Sequence, residues 1–252
     1  FDELFLIQLS VIRQKRVLQK QAAQTISFNK ELIQSFVKSL PFTLTNSQKI
    51  AAWDILQDIS KSIPMNRLLN GDVGSGKTVV AAVAALEVAQ AGYQVAIMAP
   101  TEILAQQHFK EFSKLLGKFD IKIGLLTRTE SKIFFKGKIN PEKKSKISNG
   151  ASILIGTHAL IQERIKFKNL ALAIIDEQHR FGVEQRATLQ RQIIDIPDQT
   201  IKIIPHFLTL TATPIPRTLA LTIYGDLDIS LLKELPKGRQ KIITEIVAPA
   251  NR

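Results

Sequence analysis

The chain contains no cysteine, which excludes a disulfide scaffold and any thiolate-held metal site. Aromatic residues make up only 6% of it, so a core must be built from aliphatic side chains. No apolar run is long enough to cross a bilayer as a helix, and no signal peptide opens the chain. These absences fit a cytoplasmic protein with no membrane partner. Acidic residues are the next deficit: 22 Asp and Glu stand against 34 Lys and Arg, a formal charge of +12. That imbalance leaves two readings, a plain basic surface or a polyanionic partner such as nucleic acid. An initiating methionine is also lacking. The chain opens at Phe1 and stops at Asn251-Arg252, and so reads as a piece of a longer protein. What is present is a 45% hydrophobic share over 252 residues, enough for one large domain or two small ones.

The stretch Gly71-Asp72-Val73-Gly74-Ser75-Gly76-Lys77-Thr78 fits G-x-x-x-x-G-K-[ST], the phosphate-binding loop. Its glycines permit backbone angles closed to residues with a Cβ. The loop N–H groups then form a nest for phosphate oxygens at the positive end of the following helix. In that reading Lys77 reaches the β- and γ-phosphates of ATP, and the Thr78 hydroxyl binds Mg²⁺. The surroundings agree. Arg67-Leu68-Leu69 reads as a short buried strand, and Val79 to Ala91 as an alanine-rich helix closed by Gly92.

Further along, strands alternate with helices: 94–99, 121–126, 152–155, 172–175 and 207–210 read as strands, with a helix from 101 through 116. This predicts an α/β fold with a mostly parallel, doubly wound sheet. Residues 128–149 are lysine-rich and predict a loop with a short helix from Pro141 to Gly150. Ahead of the loop, residues 1–24 predict a helix carrying the basic cluster Arg13, Lys15, Arg16 and Lys20. Asn29 is placed to cap a second helix ending at Pro41. The expected division is a helical lead-in over 1–41, a nucleotide-binding domain over 42–224, and a linker over 225–252.

Five distinctive stretches (71–78, 100–102, 156–158, 176–179 and 211–213) each sit just past a predicted strand. In open α/β sheets ligands bind at that edge. Asp176 follows an unbroken apolar strand, where its carboxylate suits the Mg²⁺ shell, and Glu177 beside it suits a group that orients or deprotonates the attacking water. The plain alternative is an acidic cap for a helix near Gly182. His179 is either a surface histidine or a link from the γ-phosphate to a second site. Thr211 and Thr213 are either turn hydroxyls or a coupling element between nucleotide and bound strand. Thr101, Glu102, Thr157 and His158 offer groups for phosphodiester oxygens of DNA. Gln48 has two readings: a capping box with Thr45, or an amide pairing with adenine beside an apolar wall from Phe42.

These motifs, with Ala-Pro-Thr-Glu-Ile-Leu-Ala-Gln-Gln-His (99–108), Gly-Thr-His-Ala-Leu-Ile (156–161), Asp-Glu-Gln-His-Arg-Phe-Gly-Val-Glu-Gln-Arg (176–186) and Thr-Ala-Thr-Pro-Ile-Pro-Arg-Thr-Leu-Ala (211–220), resemble superfamily 2 DNA helicases. The likeness runs from about residue 42 to 250 and is nearest to the helicases that remodel stalled forks and Holliday junctions. Transcription-repair coupling translocases are similar at several motifs, but there the fourth stretch usually reads Asp-Glu-Glu-His, where this chain has Gln178. The resemblance implies a RecA-like fold, ATP and Mg²⁺ handled by Lys77, Thr78, Asp176 and Glu177, and an adenine contact from Gln48. It also implies branched DNA as partner, held through its backbone phosphates, together with a second RecA-like lobe and a wedge domain that these residues do not contain. A non-catalytic nucleic-acid-binding module is the alternative of a different class.

Overall fold

The computed structural model describes residues 9, 12–13, 15–16, 20–157, 160, 165, 167–176, 203–212 and 227–234. Its centre is a nine-stranded sheet in the order β11-β2-β10-β8-β3-β7-β4-β5-β6. The strands are β2 (Asn66–Gly71), β3 (Gln94–Met98), β4 (Ile123–Leu126), β5 (Ser131–Phe135), β6 (Lys138–Pro141), β7 (Ile153–Gly156), β8 (Leu170–Asp176), β10 (His206–Thr211) and β11 (Asp228–Leu232). All pairings are parallel except those of β5 and β6. A separate parallel pair joins β1 (Ala22–Ala23) to β9 (Ile203–Ile204).

The doubly wound reading holds because both sheet faces are apolar. Along β8, Leu172 and Ile174 enter one core, while Ala173 and Ile175 enter the other. The larger core takes four helices: α1 (Lys30–Ser39), α2 (Asn46–Ile59), α3 (Lys77–Gln90) and α4 (Glu102–Leu116). The smaller takes α5 (Lys144–Gly150) through Ile147. Helix α3 is buried all round, with every residue from Val79 to Val88 enclosed and all of them apolar except Glu87, which is how a helix enclosed on all sides reads. Its alanines let the sheet, α2 and α4 approach closely.

Three expectations need correction. Residues 131–141 form an antiparallel hairpin rather than a loop, and the following helix starts at Lys144, not Pro141. The β-forming run Ile133-Phe134-Phe135 pairs with β6 through a two-residue turn, Lys136 (φ 48°) and Gly137 (φ 78°), as tight hairpins require. Asp228–Leu232, within the expected linker, instead forms the edge strand β11 beside β2, burying Ser230 and Leu232. At the other end the described residues 9, 12–13 and 15–16 are helical, but Ala22–Ala23 is a strand and 24–29 is irregular. Helix α1 begins at the expected cap, where the Asn29 side chain accepts from the Leu32 N–H at 3.0 Å. Its Phe36 is fully buried with the nucleotide-loop helix in the main core.

His206, fully buried at the start of β10, ties three segments together. Its Nδ1 accepts from the Met65 N–H at 3.0 Å, and its Nε2–H donates to the Gln24 carbonyl at 2.7 Å. Burial lowers its pKa from 6.5, against opposing pulls from the Gln24 hydrogen bond and the Asp58 charge. A depressed folded pKa means the stabilisation is complete above the unfolded value and is lost as pH falls through the folded one. Below about pH 6.5 stability should therefore decline by up to about 1.4 kcal/mol per pH unit from this group. Glu87 on α3 contributes with opposite sign, since burial raises its carboxyl, partly offset by a hydrogen bond from the Asn29 N–H. Thermal melts between pH 7.5 and 5 isolate the histidine: His206→Gln should flatten the acid-side decline. Parallel slopes for the two proteins would contradict the assignment.

Candidate functional site

Strand β2 ends at Gly71, and the chain turns through residues 72–76 into α3. Gly74 (φ 77°) and Gly76 (φ 86°) occupy the left-handed region, as the glycine pattern requires. A Cβ on Gly71 would lie 2.5 Å from the Ser75 Oγ and 2.8 Å from the Leu232 Cβ, so the loop closes tightly on its own strand and on β11. No side chain caps α3, whose N-cap is Gly76, and a helix start of that kind suits an anion. The Lys77 ammonium lies over the loop, donating to the carbonyls of Gly71 (2.7 Å) and Asp72 (3.0 Å). Buried Ser75 Oγ has no hydrogen-bond partner among the described residues. The loop glycines, an uncapped helix start, a lysine ammonium and an orphaned hydroxyl fit a polyphosphate. Asp72 and Val73 are exposed at the loop's crest, and Thr78 is half-buried in the first turn of α3.

Gln48 satisfies the capping box and does more. The Thr45 N–H donates to its Oε1 at 2.9 Å, and its own N–H donates to the Thr45 Oγ1 at 3.2 Å. Its Nε2 also donates to the Ser75 carbonyl at 2.8 Å, with the residue only 1% exposed. The amide thus joins the start of α2 to the phosphate loop, rather than facing outward beside Phe42, which is 45% exposed. A second group acts on the same helix start: the Glu234 carboxylate accepts from the Asn46 and Ser47 N–H groups at 3.2 and 3.1 Å. Glu234 falls in the stretch Glu234-Leu235-Pro236-Lys237-Gly238-Arg239, which shares the helicase resemblance, but no local pattern assigns it this contact, 187 residues from Ser47.

Register brings the other motifs to the same edge. Thr211 pairs with Asn70 across β10 and β2, and Leu210 pairs with Asp176 across β10 and β8. The phosphate loop, Thr211 and Asp176 therefore end three adjacent strands on one rim. Thr157 follows β7, and Thr101 with Glu102 follows β3, farther along it. Two of these side chains serve the fold locally. The Thr101 Oγ1 caps α4 by accepting from the Leu104 N–H at 3.3 Å. The Glu102 carboxylate holds the turn after β4, accepting from the Arg128 N–H (3.2 Å) and the Thr129 Oγ1 (2.6 Å). His158, Glu177, His179 and Thr213 lie outside the described residues.

The buried Asp176 carboxylate accepts a hydrogen bond from the His108 Nε2 at 2.8 Å. His108 was not singled out from sequence, although a signal was present. It interrupts the buried stripe Ala105, Phe109, Phe112 and Leu116 of α4, where a polar side chain needs a partner. Asp176 and Thr78 supply hard oxygen donors of the kind Mg²⁺ takes, one or two from protein with the rest from phosphate and water.

A parallel sheet with a phosphate loop and a carboxylate on neighbouring strand ends defines a nucleotide-binding RecA-like lobe. The sequence profile of the DEAD/DEAH box helicase family matches residues 45–222, and the chain belongs to that family. Within it the chain is similar to ATP-dependent DNA helicase RecG. It is 46% identical to that of Aquifex aeolicus (strain VF5) over 251 residues, 98% of this chain and 30% of the relative. It is 47% identical to that of Haemophilus influenzae over 253 residues, all of this chain and 35% of the relative. The chain thus spans about a third of the length of the curated relatives it matches. A solved structure of RecG bound to a three-way DNA junction superimposes with a TM-score of 0.79 at 41% identity, covering 96% of this chain and 31% of that one. The sequence-based resemblance and the RecA-like fold are borne out.

Proposed function

We propose that this chain is the ATP-binding motor lobe of a cytoplasmic DNA helicase that remodels branched DNA, stalled forks and Holliday junctions, in repair and recombination. The observation that carries the reading is the shared rim of phosphate loop, Thr211 and Asp176, in a chain similar to a protein solved on a three-way junction. Loop N–H groups and Lys77 bind the triphosphate, and Thr78 with Asp176 hold Mg²⁺, which neutralises charge on the β- and γ-phosphates when bound. Glu177 orients the attacking water. His179 and the Thr211–Thr213 stretch pass the nucleotide state to the DNA-facing part of the rim. There Thr157 and His158 meet backbone phosphates, with the N-terminal N–H groups of α4 beside Thr101. Gln48 sets the loop through the Ser75 carbonyl and keeps a second amide hydrogen for adenine. Hydrolysis requires a second RecA-like lobe, and strand separation a wedge domain.

A protein that holds DNA by its phosphates releases counterions as it binds, so affinity falls steeply with salt and depends little on sequence. Fluorescence anisotropy with forked DNA should show a log–log salt slope equivalent to several phosphate contacts, the same for unrelated sequences. A flat salt response would remove DNA as the partner.

A further inference from the structure

We propose that His108 is a positioning residue that fixes the Asp176 carboxylate as a one-oxygen Mg²⁺ ligand; the inference rests on the nucleotide-site reading above. Among the described residues, His108 supplies the only hydrogen bond to that carboxylate, 2.8 Å from Nε2 to Oδ2. An ionised carboxylate only accepts, so Nε2 carries the proton and donates. The ring is held by its helix: it sits on the buried face of α4 and meets Phe112 edge-on with 6.5 Å between centroids. Among the described residues its buried Nδ1 has no partner, and no competing hydrogen bond turns the ring elsewhere. The bond occupies Oδ2 and stops rotation about the side chain's last torsion. Oδ1 is then left in a set direction at the tip of β8, two strands from the phosphate loop.

A simple buried polar pair would need no particular relation to the rim. This one joins the helix that Thr101 caps and Glu102 begins, at the proposed DNA-facing part, to the proposed metal ligand. A displacement of α4 would move His108 and loosen or redirect Asp176. A lysine or arginine at 108 would neutralise the carboxylate and compete with the metal. A neutral histidine donating from Nε2 orients the carboxylate and leaves its charge for Mg²⁺. Hydrogen bonds to metal-ligating groups are typically worth 10–100-fold in metal affinity.

The test measures binding of a fluorescent ATP analogue to this chain while Mg²⁺ is titrated, beside affinity without metal and thermal stability. His108→Leu, which removes the donor, should raise half-saturating Mg²⁺ about tenfold or more, with metal-free affinity essentially unchanged. His108→Gln, whose amide N–H can reach the same oxygen, should restore most of the response. Nitrogen-15 NMR of the unaltered chain should show a protonated Nε2 whose signal moves when Mg²⁺ joins bound ATP, but not with ATP alone. This readout stands even if His108→Leu does not fold. The proposal is overturned if His108→Leu keeps the wild-type Mg²⁺ dependence, if His108→Gln is equally impaired, or if the Nε2 signal ignores the metal. Absence of ATP binding by the unaltered chain would remove the nucleotide-site reading itself, and this proposal with it.

Discussion

Residues 1–252 alone are expected to hydrolyse ATP barely and without response to DNA, and a second RecA-like lobe is expected to raise the rate by about 10³–10⁵. Phosphoryl transfer spreads negative charge over the γ-phosphate oxygens, and in two-lobed motors arginine fingers from the second lobe meet it. Lys77 is the cation this loop brings to the phosphates. Arg67, the arginine on the loop's own strand, is turned away into hydrogen bonds with Asp58 and Ser230. On the proposed reading Thr78 and Asp176 hold the metal and Glu177 a water, which would leave the developing charge undercompensated. Phosphate release should be measured for the chain alone and with the second lobe restored, each with and without forked DNA. Lys77→Ala should abolish the restored turnover by removing a phosphate contact. Glu177→Gln should abolish it while ATP stays bound. Brisk, DNA-stimulated hydrolysis by residues 1–252 unaided would show a complete site and end the two-lobe reading.

The parts of the site legible in sequence were those written by contiguous residues. The loop 71–78 needs glycine where φ is positive and a lysine at the helix start, and the structure has both in place. The β8 strand was equally plain, because a run buried on both faces cannot alternate. Contacts between distant residues were not legible. Glu234 reaches Asn46 and Ser47, and His108 reaches Asp176 across 68 positions. No local pattern fixes such pairs, though a histidine in an apolar stripe was a usable hint. The lysine-rich hairpin at 131–141 misled for a different reason. An edge strand exposes one side, so lysine and proline there protect the edge, and the same composition reads as loop. Of the two readings of Gln48, the capping box is formed, and the amide nitrogen makes a contact that neither reading named, to the Ser75 carbonyl of the loop.

Asp58→Ala should cost about 3–5 kcal/mol, the expected loss when one member of a buried ion pair is removed. Both side chains are nearly enclosed, Arg67 at 12% and Asp58 at 11% exposure. Asp58 Oδ2 accepts from the Arg67 Nε (2.9 Å) and Nη2 (2.6 Å), while Oδ1 takes the Lys61 ammonium at 2.6 Å. The Arg67 Nη1 donates to the Ser230 Oγ at 2.8 Å, and that hydroxyl donates to Asp54 at 3.1 Å. The cluster therefore binds α2, β2 and the edge strand β11 to one another. Without Asp58 the guanidinium stays buried, and among the described residues only Asp54 at 3.7 Å, itself 37% exposed, remains as an acid. Asp54→Ala, by contrast, removes a partly solvated charge and should cost under about 1 kcal/mol. The larger loss corresponds to a fall in melting temperature of roughly 6–20 °C at this chain length. Replacing both partners, Asp58→Leu with Arg67→Met, should recover much of it, because the damage comes from the charge left unpaired and not from the absent bond. Calorimetric melts of the three variants decide the matter. A loss from Asp58→Ala no larger than from Asp54→Ala would mean that Arg67 is solvated in solution and that β11 is held by its backbone ladder alone.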